Sequence, residues 1–70
     1  MALMRATPAY SSAAPVLVIE DDAAVRFGIV ATLRASSHHV VEAASIQEAL
    51  ALYERHRPEI VITDLRLPDG

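Results

Sequence analysis

Two short, wholly apolar runs, Val16-Leu17-Val18-Ile19 and Ile60-Val61-Ile62, each stop abruptly at carboxylates. Glu20-Asp21-Asp22 follows the first, and Thr63-Asp64 follows the second. A β-branched run with no polar alternation is how a strand reads when both its faces are covered, as in a parallel sheet between helix layers. After the first run, Asp22 is a natural N-cap. Val25, Ile29 and Leu33 then fall at i, i+4 and i+8 with Val30 beside them, which predicts a helix with one apolar face and places these residues in the core. Arg26 and Arg34 lie off that stripe, and Arg34 with Ser36-Ser37 suits a helix end and a turn.

The middle of the chain repeats the pattern more weakly. His39 to Ala43, around Val40-Val41, reads as a second strand. Ser45-Ile46-Gln47-Glu48 matches a capping box, in which Ser45 takes the Glu48 amide and Glu48 reaches back to the Ser45 amide. The helix it opens puts Ile46, Ala49, Leu50 and Tyr53 on one face and runs to about Arg57, where Pro58 stops it. Pro68-Asp69-Gly70 is a turn signal. Strand, helix, strand, helix, strand in this order predicts an α/β fold with an open parallel sheet and right-handed crossovers. Met1 to Ala14 is rich in Ala, Ser, Thr and Pro without a period. Residues 1–15 therefore read as a flexible leader closed by Pro15, and 16–70 as one domain.

Composition excludes several classes of function. With 53% apolar residues and a net charge of -3, the chain has the means for a core and is no charged tail protein. All six basic residues are Arg and lie scattered, so no patch for direct nucleic-acid contact emerges. No run approaches the ~20 apolar residues that span a membrane, and no signal-peptide core is present. Cys is absent, so there is no disulfide framework. A soluble cytoplasmic protein is the expectation. The core is small, since a domain of about 60 residues buries only ~60% of its unfolded surface.

The carboxylates carry the chemistry. In open parallel sheets, ligands bind beyond the carboxyl ends of the strands, where strand order reverses. If the order is 2-1-3, strands one and three are neighbours, and Glu20, Asp21 and Asp64 converge there. Any one of them alone is ordinarily a cap or a solvated loop residue. Three close carboxylates repel unless a cation joins them, and a few hard oxygen ligands with water suit Mg²⁺. Such a site favours phosphoryl transfer, with aspartate as the nucleophile.

At these residues the chain resembles a known family. Val16 to Arg26 is similar to the first strand and acidic pair of response-regulator receiver domains. Ile60 to Gly70 is similar to their third strand, phosphoacceptor and following loop, and Ala43 to Leu50 is family-like too. The resemblance implies a flavodoxin-like topology of order 2-1-3, here cut after the third strand. It implies Asp64 as phosphoacceptor, Mg²⁺ held by Glu20, Asp21, Asp64 and the Arg66 backbone carbonyl, and a loop shaped by Pro68 and Gly70. A sensor histidine kinase would be the phosphodonor, and any catalysis would be confined to the module's own phosphorylation and dephosphorylation, not that of an enzyme. A C-terminal effector, often DNA-binding, would lie beyond this chain. The family's sensing Ser or Thr, its pairing Lys and its aromatic switch belong to parts past Gly70. The chain holds no Lys, and Thr63 cannot serve because a strand neighbour of Asp64 points to the other face.

Two rival functions stand beside this one. A non-phosphorylated pseudo-receiver would act as a docking or homodimerisation module through the third strand, expected to be an exposed edge. A phosphohydrolase with an aspartate nucleophile ranks last, since Arg66 stands where a second Asp is usual. His38 and His39 read as solvated turn residues, and Arg55-His56-Arg57 as charge complementing a helix C-terminus.

Overall fold

The structure is a computed structural model that describes residues 2–5 and 14–64. Its elements are β1 (Ala2–Arg5), β2 (Val16–Ile19), α1 (Ala23–Ala35), β3 (Val40–Ala43), α2 (Ile46–His56) and β4 (Ile60–Thr63). They form one sheet in the order β1-β4-β2-β3. β2 pairs in parallel with β3 on one side and β4 on the other, with Ile19 level with both Ala43 and Thr63. The three expected strands thus take the expected 2-1-3 order, as β3-β2-β4.

This order also decides where the helices go. The chain steps outward from β2 to β3 and then back across β2 to β4. Crossovers of one hand that step in opposite directions must pass over opposite faces. One core cluster accordingly joins Leu17, Ile19, Ala43 and Val61 to Ala49 of α2, with Ile46, Leu52 and Tyr53 packed against it. The other joins Val16, Val18 and Val40 to Val30 of α1, with Ile29 and Leu33 against it. Alternate residues of the apolar runs feed the two clusters, which is why neither run could afford a polar face.

Both helix starts are capped as their sequences suggest, with one difference. The Asp22 side chain accepts from the Val25 amide at 3.0 Å, and Ser45 Oγ accepts from the Glu48 amide at 3.1 Å. Glu48 reaches one residue further back than a capping box requires, accepting from the Ala44 amide at 2.7 Å. At the end of α1, the His38 amide donates to Leu33 and the Ser37 amide to Arg34, each at 3.0 Å. That is the Schellman pattern, with Ser37 at φ 67° in the place glycine usually takes.

Three expectations need correction. Val25 is not core: it is 45% exposed, and the inward stripe of α1 is Ile29, Val30 and Leu33. Leu50 is 64% exposed at the rim of α2, while Leu52 turns inward. Residues 2–5 of the expected leader are a strand, paired antiparallel with β4 from Ala2 opposite Thr63 to Arg5 opposite Ile60. The outer edge of β4 is therefore covered, because its free backbone donors and acceptors recruit the nearest extended segment. Residues 6–13, including Tyr10, lie outside the described residues.

Leu17 is fully buried in the α2-side cluster. Leu17→Ala is expected to cost about 2–5 kcal/mol in urea unfolding, and Leu50→Ala to stay within about 0.5 kcal/mol. Equal losses at the two sites would contradict the packing described.

Candidate functional site

Parallel pairing carries two acids to the same place. The β2 ladder runs one residue past Ile19, where the Glu20 amide donates to the Ala43 carbonyl at 3.0 Å. On the other side, the Asp64 amide donates to the Ile19 carbonyl at 3.3 Å. Glu20 and Asp64 are thereby fixed by backbone bonds at adjacent strand ends. Asp21 follows Glu20 in the turn that leads into the Asp22 cap of α1.

Glu20, Asp21 and Asp64 each offer a carboxylate oxygen, and these oxygens all lie within 4.8 Å of one another. Glu20 is buried at 5% exposure, Asp64 is half-buried and Asp21 is exposed. Buried charge without compensation is costly, and the Glu20 carboxyl responds. Burial first, then the charges of Asp64 and Asp21, a hydrogen bond with Asp64 and the charge of Asp22 push its pKa above the ordinary 4.5. Its Oε2 is buried with no hydrogen-bond partner among the described residues. A buried acceptor left unsatisfied beside two more carboxylates fits a hard cation with oxygen ligands. Asp22 is held by its capping bond, in keeping with a structural role.

Arg26 has a part that the sequence reading did not assign. Its Nη1 donates to the Glu20 backbone carbonyl at 2.7 Å, and its Nε to Glu42 Oε1 at 3.2 Å. Arg34 lies 3.9 Å from the other Glu42 oxygen. The Arg26 side chain thus ties the first turn of α1 to the end of β2 and to β3, which steadies the backbone that carries Glu20. Its position one turn after the Asp22 cap was the only signal in the sequence. The Arg66 carbonyl, Pro68 and Gly70 lie outside the described residues. His38 and His39 are exposed, as expected of turn residues.

Comparison with known families bears on this arrangement directly. The family model described as response regulator receiver domain matches residues 16–70, from the start of β2 to the last residue. The chain belongs to the response regulator receiver domain family. It is a module of two-component signalling. It is 41% identical over 54 residues to the transcriptional regulatory protein PdtaR of Mycobacterium tuberculosis, covering 76% of this chain and 26% of that protein. Against the virulence transcriptional regulatory protein PhoP of Salmonella typhimurium, identity is 43% over 54 residues, covering 77% and 24%. Against the transcriptional regulatory protein AfsQ1 of Streptomyces coelicolor it is 38% over 52 residues, covering 74% and 23%. The chain thus spans about a quarter of the length of these curated relatives. No solved structure gave a significant match. Among the described residues of the receiver, no helix is long and apolar enough to cross a membrane.

The raised Glu20 pKa sets a pH dependence. A carboxyl with a higher pKa folded than unfolded holds its proton longer in the native state. Its contribution is fully present below 4.5 and is lost as pH rises through the folded value. Without divalent cations, the thermal midpoint is expected to fall as pH rises from 4.5, and Glu20→Gln should flatten that fall. A midpoint whose pH dependence is identical in the two proteins would show that Glu20 is not under this strain.

Proposed function

We propose that this receiver takes a phosphoryl group on Asp64 from a phosphohistidine of a sensor kinase, with Mg²⁺ held by Glu20, Asp21 and Asp64. The observation that supports this most is the convergence of the three carboxylate oxygens within 4.8 Å at the strand ends. The Arg66 backbone carbonyl completes the protein ligand set in this reading. The bound cation would supply positive charge that offsets the carboxylates and the phosphoryl oxygens.

The chain's own residues do the rest. An Asp64 carboxylate oxygen forms the new bond to phosphorus as the bond from phosphorus to the donor nitrogen breaks. The electron pair leaves with the imidazole, which is released as a neutral ring when its other nitrogen already carries a proton and otherwise takes that proton from solvent. The Asp64 backbone, bonded to Ile19, holds that carboxylate in place. Glu20 and Asp21 act as ligands and do not form bonds to phosphorus. Arg26 keeps the Glu20 backbone in register through its 2.7 Å bond.

In this reading the module is a covalent acceptor and not an enzyme acting on other substrates. It works in the cytoplasm, and the relatives named as transcriptional regulators suggest an effector that acts on transcription. A docking module indifferent to Asp64 is less well supported, because the open edge it relied on is covered by β1.

Incubation with Mg²⁺ and acetyl phosphate, followed by intact-mass spectrometry, tests the proposal. One base-labile phosphoryl adduct is expected on the wild-type chain, absent from Asp64→Asn and abolished by EDTA. An adduct that persists in Asp64→Asn would place the acceptor elsewhere, and its absence from the wild type would mean that these residues do not suffice.

A further inference from the structure

One side chain holds the peptide that joins two of the three acids. Arg26 Nη1 donates to the Glu20 backbone carbonyl at 2.7 Å. That carbonyl belongs to the same planar unit as the Asp21 N–H, so the bond fixes the link between Glu20 and Asp21. The Glu20 amide is already held by the Ala43 carbonyl at 3.0 Å. Both backbone groups of Glu20 are therefore engaged, one by a neighbouring strand and the other by a side chain of α1. Asp21 is exposed, so packing does little to place it and the peptide behind it does more.

Glu42 in turn holds Arg26. It lies on the same face of β3 as Val40 and accepts from Arg26 Nε at 3.2 Å. With side chains 20% and 42% exposed, the pair adds little to stability as an ion pair. Its geometry counts for more. A guanidinium is a rigid fork, so anchoring Nε on Glu42 aims Nη1 at the Glu20 carbonyl. Arg34, 3.9 Å from the second Glu42 oxygen, brings the same charge to the cluster from a more exposed position. Charge and position act in opposite directions here. A guanidinium beside a cation site repels the cation, so only its positioning can favour binding.

We infer that Arg26 is a positioning residue of the cation site, aimed by Glu42 from β3, and that it raises Mg²⁺ affinity in spite of its own positive charge. The inference rests on the reading in which Glu20, Asp21 and Asp64 hold Mg²⁺. Arg26 and Glu42 act through the backbone that carries two of those ligands and do not touch the ion. Groups that orient metal ligands in this way commonly change affinity by about 10–100-fold. β3, which supplies no ligand, thereby helps to build the site through the Ala43 carbonyl and the Glu42 side chain.

Titration calorimetry of the full chain with Mg²⁺ tests it. Arg26→Lys keeps the charge but replaces two separated nitrogens by one, and is expected to weaken binding about 10-fold. Arg26→Gln is expected to weaken it too, whereas loss of the charge alone would tighten it. Glu42→Gln and Glu42→Ala lose the same charge, but only the first keeps an acceptor for Nε, so it should bind Mg²⁺ several-fold tighter than the second. Arg34→Gln is the charge control and should not weaken binding. Without Mg²⁺, the ¹⁵N shift of the Asp21 amide responds to a hydrogen bond on the preceding carbonyl. It should move in Arg26→Lys and stay in place in Arg34→Gln. Arg26 variants that bind as tightly as the wild type, Glu42 variants that bind alike, or an Asp21 shift unmoved in Arg26→Lys overturn the inference. Loss of helical circular dichroism in both Arg26 variants overturns it too, since Arg26 would then support the fold at large. A folded wild type with no saturable Mg²⁺ binding overturns the cation reading itself, and this inference with it.

Discussion

The parallel ladder between β2 and β4 is the contact on which the rest depends. It joins segments more than forty positions apart in sequence, with Val16 level with Ile60 and Ile19 level with Thr63. It also creates the reversal in strand order that sends α1 and α2 to opposite faces. It brings Val61 into the α2-side core cluster beside Leu17 and Ile19 as well. The same ladder, extended by the bond from the Asp64 amide to the Ile19 carbonyl, sets Asp64 beside Glu20. Core and site are thus products of one register. A slip of one residue would turn Ile60 and Ile62 to the wrong face and separate the acids together.

The site opposes the fold that builds it. Packing around β2 removes water from Glu20, and the ladder brings two further carboxylates against it, so its proton is held above the usual glutamate range. Such tension is common where groups are arranged for chemistry and not for stability. The capping bond of Asp22 and the Arg26 bond to the Glu20 carbonyl offset part of it by fixing the backbone on both sides of Asp21. Glu42, paired with Arg26, extends this bracing to β3.

What could be read from the sequence follows from where the signals are strong. Val16–Ile19 and Ile60–Ile62 are unbroken β-branched and leucine runs, and a strand buried on both faces has few other ways to be written. The caps at Asp22 and Ser45 are side-chain chemistry local to a few residues, so they too were legible. The convergence of Glu20, Asp21 and Asp64 needed the strand order as well, which came from the family resemblance and which the structure bears out. Val25 was misplaced because the 3.6-residue period locates a stripe but not its centre, and the sheet meets α1 one step round, at Val30. β1 went unseen because Ala2-Leu3-Met4-Arg5 has no β-branched residue. Its strand character comes from the vacant edge of β4, a tertiary cause that no local window contains. Arg26 was passed over for a similar reason, since its partners lie in β2 and β3.

The central claim is that three carboxylates form one cation site at the meeting of β2 and β4. A ¹H–¹⁵N NMR titration with Mg²⁺ tests it most directly, on the wild type and on Asp21→Asn and Asp64→Asn. The account predicts saturable shifts centred on the amides of Glu20, Asp21, Asp22 and Asp64 and on those next to the Arg66 carbonyl in the wild type, and markedly weaker binding in either variant. Shifts that never saturate, or that are as large at the exposed Glu54 as at Glu20, would contradict it.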